Sequence, residues 1–159
     1  MSGIGRVHER INADINRVGR SLMGVGDDPP FCYSIGNYFQ RWTVGPPPGN
    51  VVIMPELLVI GTAKGNFLND LSNMMIEARQ PFDDGQVVLM HGARQPVRII
   101  RANNDARTKY MIQAGVILRV NDYPVMQVLI PDTAGKFPGE SGCAPPYSLW
   151  PVLHERLLQ

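Results

Sequence analysis

The chain has 159 residues, 44% hydrophobic and 18% charged, with a formal net charge of +1. That length makes one domain, burying about two-thirds of its unfolded surface. A pI near 7.8 with scattered basic residues excludes nucleic-acid binding by bulk charge. No run approaches the ~18 apolar residues of a membrane span, so no membrane partner is expected.

The opening "MSGIGRVHERINADINRVGR" carries charges throughout and lacks the apolar core of a secretory signal, so a cytoplasmic location is expected. Within it Ile11, Ile15 and Val18 form an apolar stripe at helical spacing, closed by Gly19. "SLMGVG" reads as a short strand, "DDPP" as punctuation, and "FCYSIGNYF" as renewed extended structure. "TVGPPPGN" reads as a loop, because three prolines neither donate ladder hydrogen bonds nor sit inside a helix. "NVVIMPELLVIG" is the most apolar stretch, expected to turn or bulge at Pro55 and continue as a buried strand to Ile60.

A helix over 63–79 follows, with Phe67, Leu68, Leu71, Met75 and Ala78 on one face and the Met74-Met75 pair read as core filling. "QVVLMHG" and "PVRIIRANN" pair as a hairpin through "GARQ". Asp105 is a candidate N-cap for a second short helix in "DARTKYMIQAGVILR". "YPVMQVLI" is the last strand, and 148–159 forms a short helix or tail. These elements predict one α+β domain over 1–159, a mainly antiparallel sheet with helices packed on it.

Neither GxxxxGK[ST] nor GxGxxG is present, so no cofactor is implied. Lys64, in the strand-to-helix turn "GTAKG", is a candidate anion contact. His8 and His154 read as solvated helix residues, and His91, ending the "VVLM" strand, is the histidine best placed to enter a cleft. The histidines are too far apart in sequence for a local metal pair, and Cys32 and Cys143 form no CxxC, so no metal site is expected. In the cytoplasm both cysteines would be free thiols.

The densest cluster lies in "PDTAGKFPGESGCAP", where a strand-like run empties into a loop holding Asp132, Lys136, Glu140, Ser141 and Cys143. Asp132 after Pro131 suits a turn cap, and Phe137-Pro138 suits a hydrophobic lid. The remaining charge exceeds what a turn requires, and loops at strand ends are where sites collect.

The segments "PPFCYSIGNY", "PELLVIG", "PVRIIRAN" and "PVMQVLIPDTAGKFPGESGCAP", in that order, resemble the domain-of-unknown-function family DUF4262 over roughly residues 8–147. The last segment is the most specific, matching a PD-x-x-G-x-FP-x-x-x-G-C signature. The chain departs from the family at Arg20, where a Trp is usual, and at Gly139, where an aromatic is usual. "RWTVGPPPGNVVIM" replaces a short His-containing linker. The resemblance implies a fold and an intracellular setting, and no reaction.

Three functions fit the residues. One is binding of a small anionic or nucleotide-like ligand between "PPFCYSIGNY" and the 131–144 loop, with Phe31, Tyr33 and Phe137 flanking a planar group and Lys136 meeting an anion. Sequestering such a ligand in phage–host conflict is one role for a small binder. The second is a hydrolase using Asp132 or Glu140 as general base with His91 assisting. The third is an interaction module, such as a homo-oligomer, using "VGPPPGN" and the C-terminal segment.

Overall fold

The computed structural model describes residues 3–157. Helix α1 (Gly3–Val18) ends at Gly19, whose N–H returns to the Ile15 carbonyl at 2.9 Å. Its core-facing stripe is buried Ile11 flanked by half-buried Val7 and Ile15, while Val18 is 56% exposed and falls off the stripe expected for it. Strand β1 (Ser21–Val25) pairs antiparallel with β2 (Phe31–Ile35). After a 3₁₀ turn at Asn37–Phe39 the chain forms β3 (Arg41–Val44) and β4 (Asn50–Ile53), a separate two-stranded sheet. "TVGPPPGN" is therefore not wholly a loop. Thr43, Val44 and Asn50 are strand residues, and the prolines occupy the connecting turn.

Strand β5 (Glu56–Ile60) begins just past Pro55 and leads into α2 (Phe67–Ala78). The 61–65 turn crosses β1 so closely that a Cβ at Gly24 would lie 2.2 Å from the Ala63 carbonyl oxygen. On α2, Leu68, Leu71, Ser72 and Met75 are buried. Met74 and Ala78 point outward, so only one of the two methionines fills the core.

Strands β6 (Gln86–Val88) and β7 (Val97–Arg101) pair antiparallel, and β8 (Val125–Leu129) completes a six-stranded sheet ordered β1-β2-β5-β8-β7-β6. Only β5 and β8 run parallel, so the domain is α+β and mainly antiparallel. Every residue of β2, β5 and β8 is buried because both faces of the sheet centre are covered. That coverage is why these strands read as nearly continuous apolar runs. On one face α2 packs over Leu57, Val59, Val128 and Ile99. On the other, α1 and α3 (Ile112–Leu118) pack over Tyr33, Leu58 and Val125. Each such aliphatic side chain stabilises the fold by about 1.5–3 kcal/mol.

A single π-helical turn, Ala106–Tyr110, precedes α3. Asp105 does not cap it. The Asn103 side chain accepts the Asp105 N–H at 2.9 Å, and Asp105 itself pairs with Lys109 at 3.2 Å. The C-terminal run is laid across β8 rather than frayed. Gln127 donates to the Pro151 carbonyl (2.8 Å) and accepts the Leu153 N–H (2.7 Å), and His154 bridges to Ala102. Among the described residues no helix is long and apolar enough to cross a membrane.

Candidate functional site

The 131–144 loop is organised around Asp132, which is 2% exposed. One carboxylate oxygen accepts the N–H groups of Ala134 (2.9 Å) and Lys136 (2.8 Å), and the other accepts that of Ala144 (2.8 Å). The amides of Ala144 and Lys136 hold this carboxyl below the usual aspartate range, against a smaller desolvation effect. These are the bonds of a turn organiser, and a carboxylate so lowered is a weak proton acceptor near neutral pH. Glu140 pairs with Arg98 at 3.0 Å, and the Arg98 guanidinium lies 4.6 Å from the centre of the Phe137 ring. Phe137 is buried with Ile100 and Leu129, under the Arg98 guanidinium. Lys136 is exposed at the loop tip, and the half-buried Cys143 thiol donates to the Lys136 carbonyl at 3.4 Å.

The sequence candidates do not converge. Phe31 and Tyr33 belong to the cluster under α1 and α3, Phe137 to a separate one near β7. The C-terminal run held by Gln127 crosses β8, the strand that leads into the loop. Phe31 and Tyr33 thus lie in a different cluster from Phe137, with the C-terminal run crossing β8. Lys64 is exposed in its turn, where its N–H reaches the Thr62 hydroxyl at 3.0 Å. His91 is exposed beside Asp70, Asn73 and Glu77 of α2 and makes no hydrogen bond to Asp132 or Glu140. His154 is not a solvated helix residue, since Nε2 meets both Asp84 carboxylate oxygens at 3.0 and 2.9 Å. His8 reaches across to the Gln113 side chain, tying α1 to α3. Cys32 and Cys143 are free thiols, the former buried against Gly65.

Phe31 and Tyr33 instead floor a different hollow, of about 780 Å³, between α1, β1 and the start of α3. Its walls include Met23, Val25, Tyr110 and Gln113, and Asp27 and Lys109 supply charge. Residues two apart on a strand share a face, which stacks Phe31 and Tyr33 with ring centres 6.2 Å apart. The π-helical turn brings Tyr110 edge-on to Phe31, at 5.1 Å. Burial pushes the Tyr33 phenol up to about 12, so it stays protonated at neutral pH. Its oxygen accepts the Gln113 N–H at 3.4 Å, and its own proton has no acceptor among the described residues.

One group of polar residues was not anticipated. Glu56, fully buried, accepts the Ser34 hydroxyl (2.7 Å) and the N–H groups of Gly36, Asn37 and Tyr38 (3.0, 3.2 and 2.9 Å). Burial raises its carboxyl, opposed by these donors. Asn37 links this nest to Ser72 at 2.8 Å and to buried Arg20 at 3.0 Å, and Arg20 reaches Asn73 of α2 at 2.7 Å. Among the described residues no buried side-chain polar atom lacks a partner. The signal in the sequence is a glutamate inside an apolar run, which enters a core only when its charge is met by donors.

Geometry thus defines an α+β domain with a carboxylate-organised loop on one side and an aromatic hollow on the other. The chain belongs to the family described as Domain of unknown function (DUF4262), whose model matches residues 14–144. No curated protein and no solved structure matches it. Two family segments, "PPFCYSIGNY" and "PELLVIG", interlock directly through the bonds that Ser34 and Gly36 give to Glu56.

Proposed function

We propose that the protein binds a small ring-bearing ligand in the hollow floored by Phe31 and Tyr33. The observation that carries this is the Tyr33 hydroxyl, buried in a largely apolar lining with a proton that no group among the described residues accepts. A polar group so placed is suited to hold an oxygen acceptor of a bound molecule. Phe31 and Tyr110 offer a ring edge and face to a planar group, and Lys109, the cation in this lining, would meet an anionic substituent at the rim by leaving Asp105. A nucleotide-like compound meets these requirements. Lys136 and Phe137 stand outside this hollow.

The experiment is to release small molecules from purified, denatured protein, identify them by mass spectrometry and measure their rebinding. Tyr33→Phe should weaken rebinding about tenfold through loss of one buried hydrogen bond. Lys136→Ala should leave it unchanged. The opposite pattern would return the site to the 131–144 loop.

A further inference from the structure

A second hollow, of about 480 Å³, opens at the other end of the π-helical turn and uses none of the residues above. Its floor is apolar, with Phe82 and Met126 buried, and its rim carries Arg101, Arg107, Asn104 and Glu155. Arg107 directs its N–H groups to neutral acceptors only, the Asn104 side-chain oxygen (3.2 and 2.9 Å) and the Tyr123 carbonyl (2.8 Å). These bonds hold the guanidinium in place without cancelling its charge, and a guanidinium has five N–H donors in all. The Arg101 guanidinium makes no hydrogen bond among the described residues, and its nearest acid, Glu155, is 3.8 Å away with its side chain 44% exposed. The Asn104 side-chain nitrogen has no acceptor among them either. Two cations therefore face one hollow against a single loosely held carboxylate.

We propose that this hollow is a binding site for a phosphate-class oxyanion, held between Arg101 and Arg107 with Glu155 displaced from Arg101. Donors converging from a strand end, a π-helical turn and an amide side chain suit an anion with oxygens on several sides. Glu155 acts as an internal competitor. Its removal should strengthen binding, an outcome that a merely structural ion pair would not give.

Inorganic pyrophosphate is the probe, titrated into the whole chain at low ionic strength, with amide chemical shifts and calorimetry as readouts. Shifts should centre on residues 101–107. Arg101→Gln should weaken binding about tenfold, and Glu155→Gln should tighten it severalfold, both with unchanged melting temperature. Tyr33→Phe should have no effect, which separates this site from the aromatic hollow. Unchanged affinity in Arg101→Gln, or weaker binding in Glu155→Gln, would overturn the proposal. Equal affinity for malonate would overturn the phosphate assignment.

Discussion

Replacing Glu56 by Gln tests how the buried polar core is held together. In the native fold one Glu56 oxygen accepts from the Ser34 hydroxyl and the Asn37 amide, and the other from the Gly36 and Tyr38 amides. A glutamine amide has only one acceptor oxygen, so in either orientation its NH₂ faces donors. Ser34 cannot simply turn round, since its oxygen already accepts the Leu57 N–H at 2.9 Å and the Asn37 side chain at 3.4 Å. In either orientation two donors lose their partner, the Gly36 and Tyr38 amides or the Asn37 amide and the Ser34 hydroxyl, at about 1–3 kcal/mol each, so the expected loss is about 4 kcal/mol. For a chain of this size that lowers the melting temperature by roughly 10 °C. Urea unfolding at neutral pH, compared at constant m-value, measures it. Asn73→Ala, at the edge of the network, serves as a control and should cost only about 1 kcal/mol. A Glu56→Gln variant within about 1 kcal/mol of wild type would show that the ionised carboxylate is not what the nest requires.

Three further outcomes are expected. Because the folded Asp132 carboxyl lies below its ordinary value of 3.8, the loop's stabilisation is present above that value and is lost as pH falls through the lowered one. The amide signals of Ala134, Lys136 and Ala144 should therefore titrate together below 3.8, and a transition at or above it would refute the loop geometry. Asp132→Asn should abolish that transition and lower the melting temperature while preserving the fold, because one of the three accepted amides then faces an NH₂; an unchanged melting temperature would contradict the organising role. Gly61 has φ +116°, and a Cβ there would lie 2.5 Å from the Trp150 ring. Gly61→Ala should cost about 1–3 kcal/mol and red-shift Trp150 emission in a Trp42→Phe background, whereas unchanged emission would show that Trp150 is not seated against Gly61.

Much of the architecture was legible because it rests on local signals. Glycine closes α1, the apolar run in "YPVMQVLI" marks β8, and the turn at "PFDDGQ" separates α2 from β6. The β3–β4 pair was missed because proline-rich composition masked four mostly exposed strand residues on either side of the turn. The site was less legible, since proximity there is set by long-range packing. Asp132 was visible as a cap because Pro-Asp turn chemistry is local. Phe137 sits with Ile100 and Leu129 because the loop folds back onto β7 and β8, a contact that no spacing in the loop encodes. Likewise Tyr110 meets Phe31 only because a π-helical turn, rather than a regular helix start, rotates it there.

The most direct measurement is a crystal structure of the protein with the compound it releases on denaturation added back. Ligand binding in the aromatic hollow predicts its ring against Phe31 and Tyr110 and an oxygen within hydrogen-bond distance of the Tyr33 hydroxyl. Density for the compound on the 131–144 loop, beside Lys136, with the aromatic hollow filled only by solvent, would contradict it.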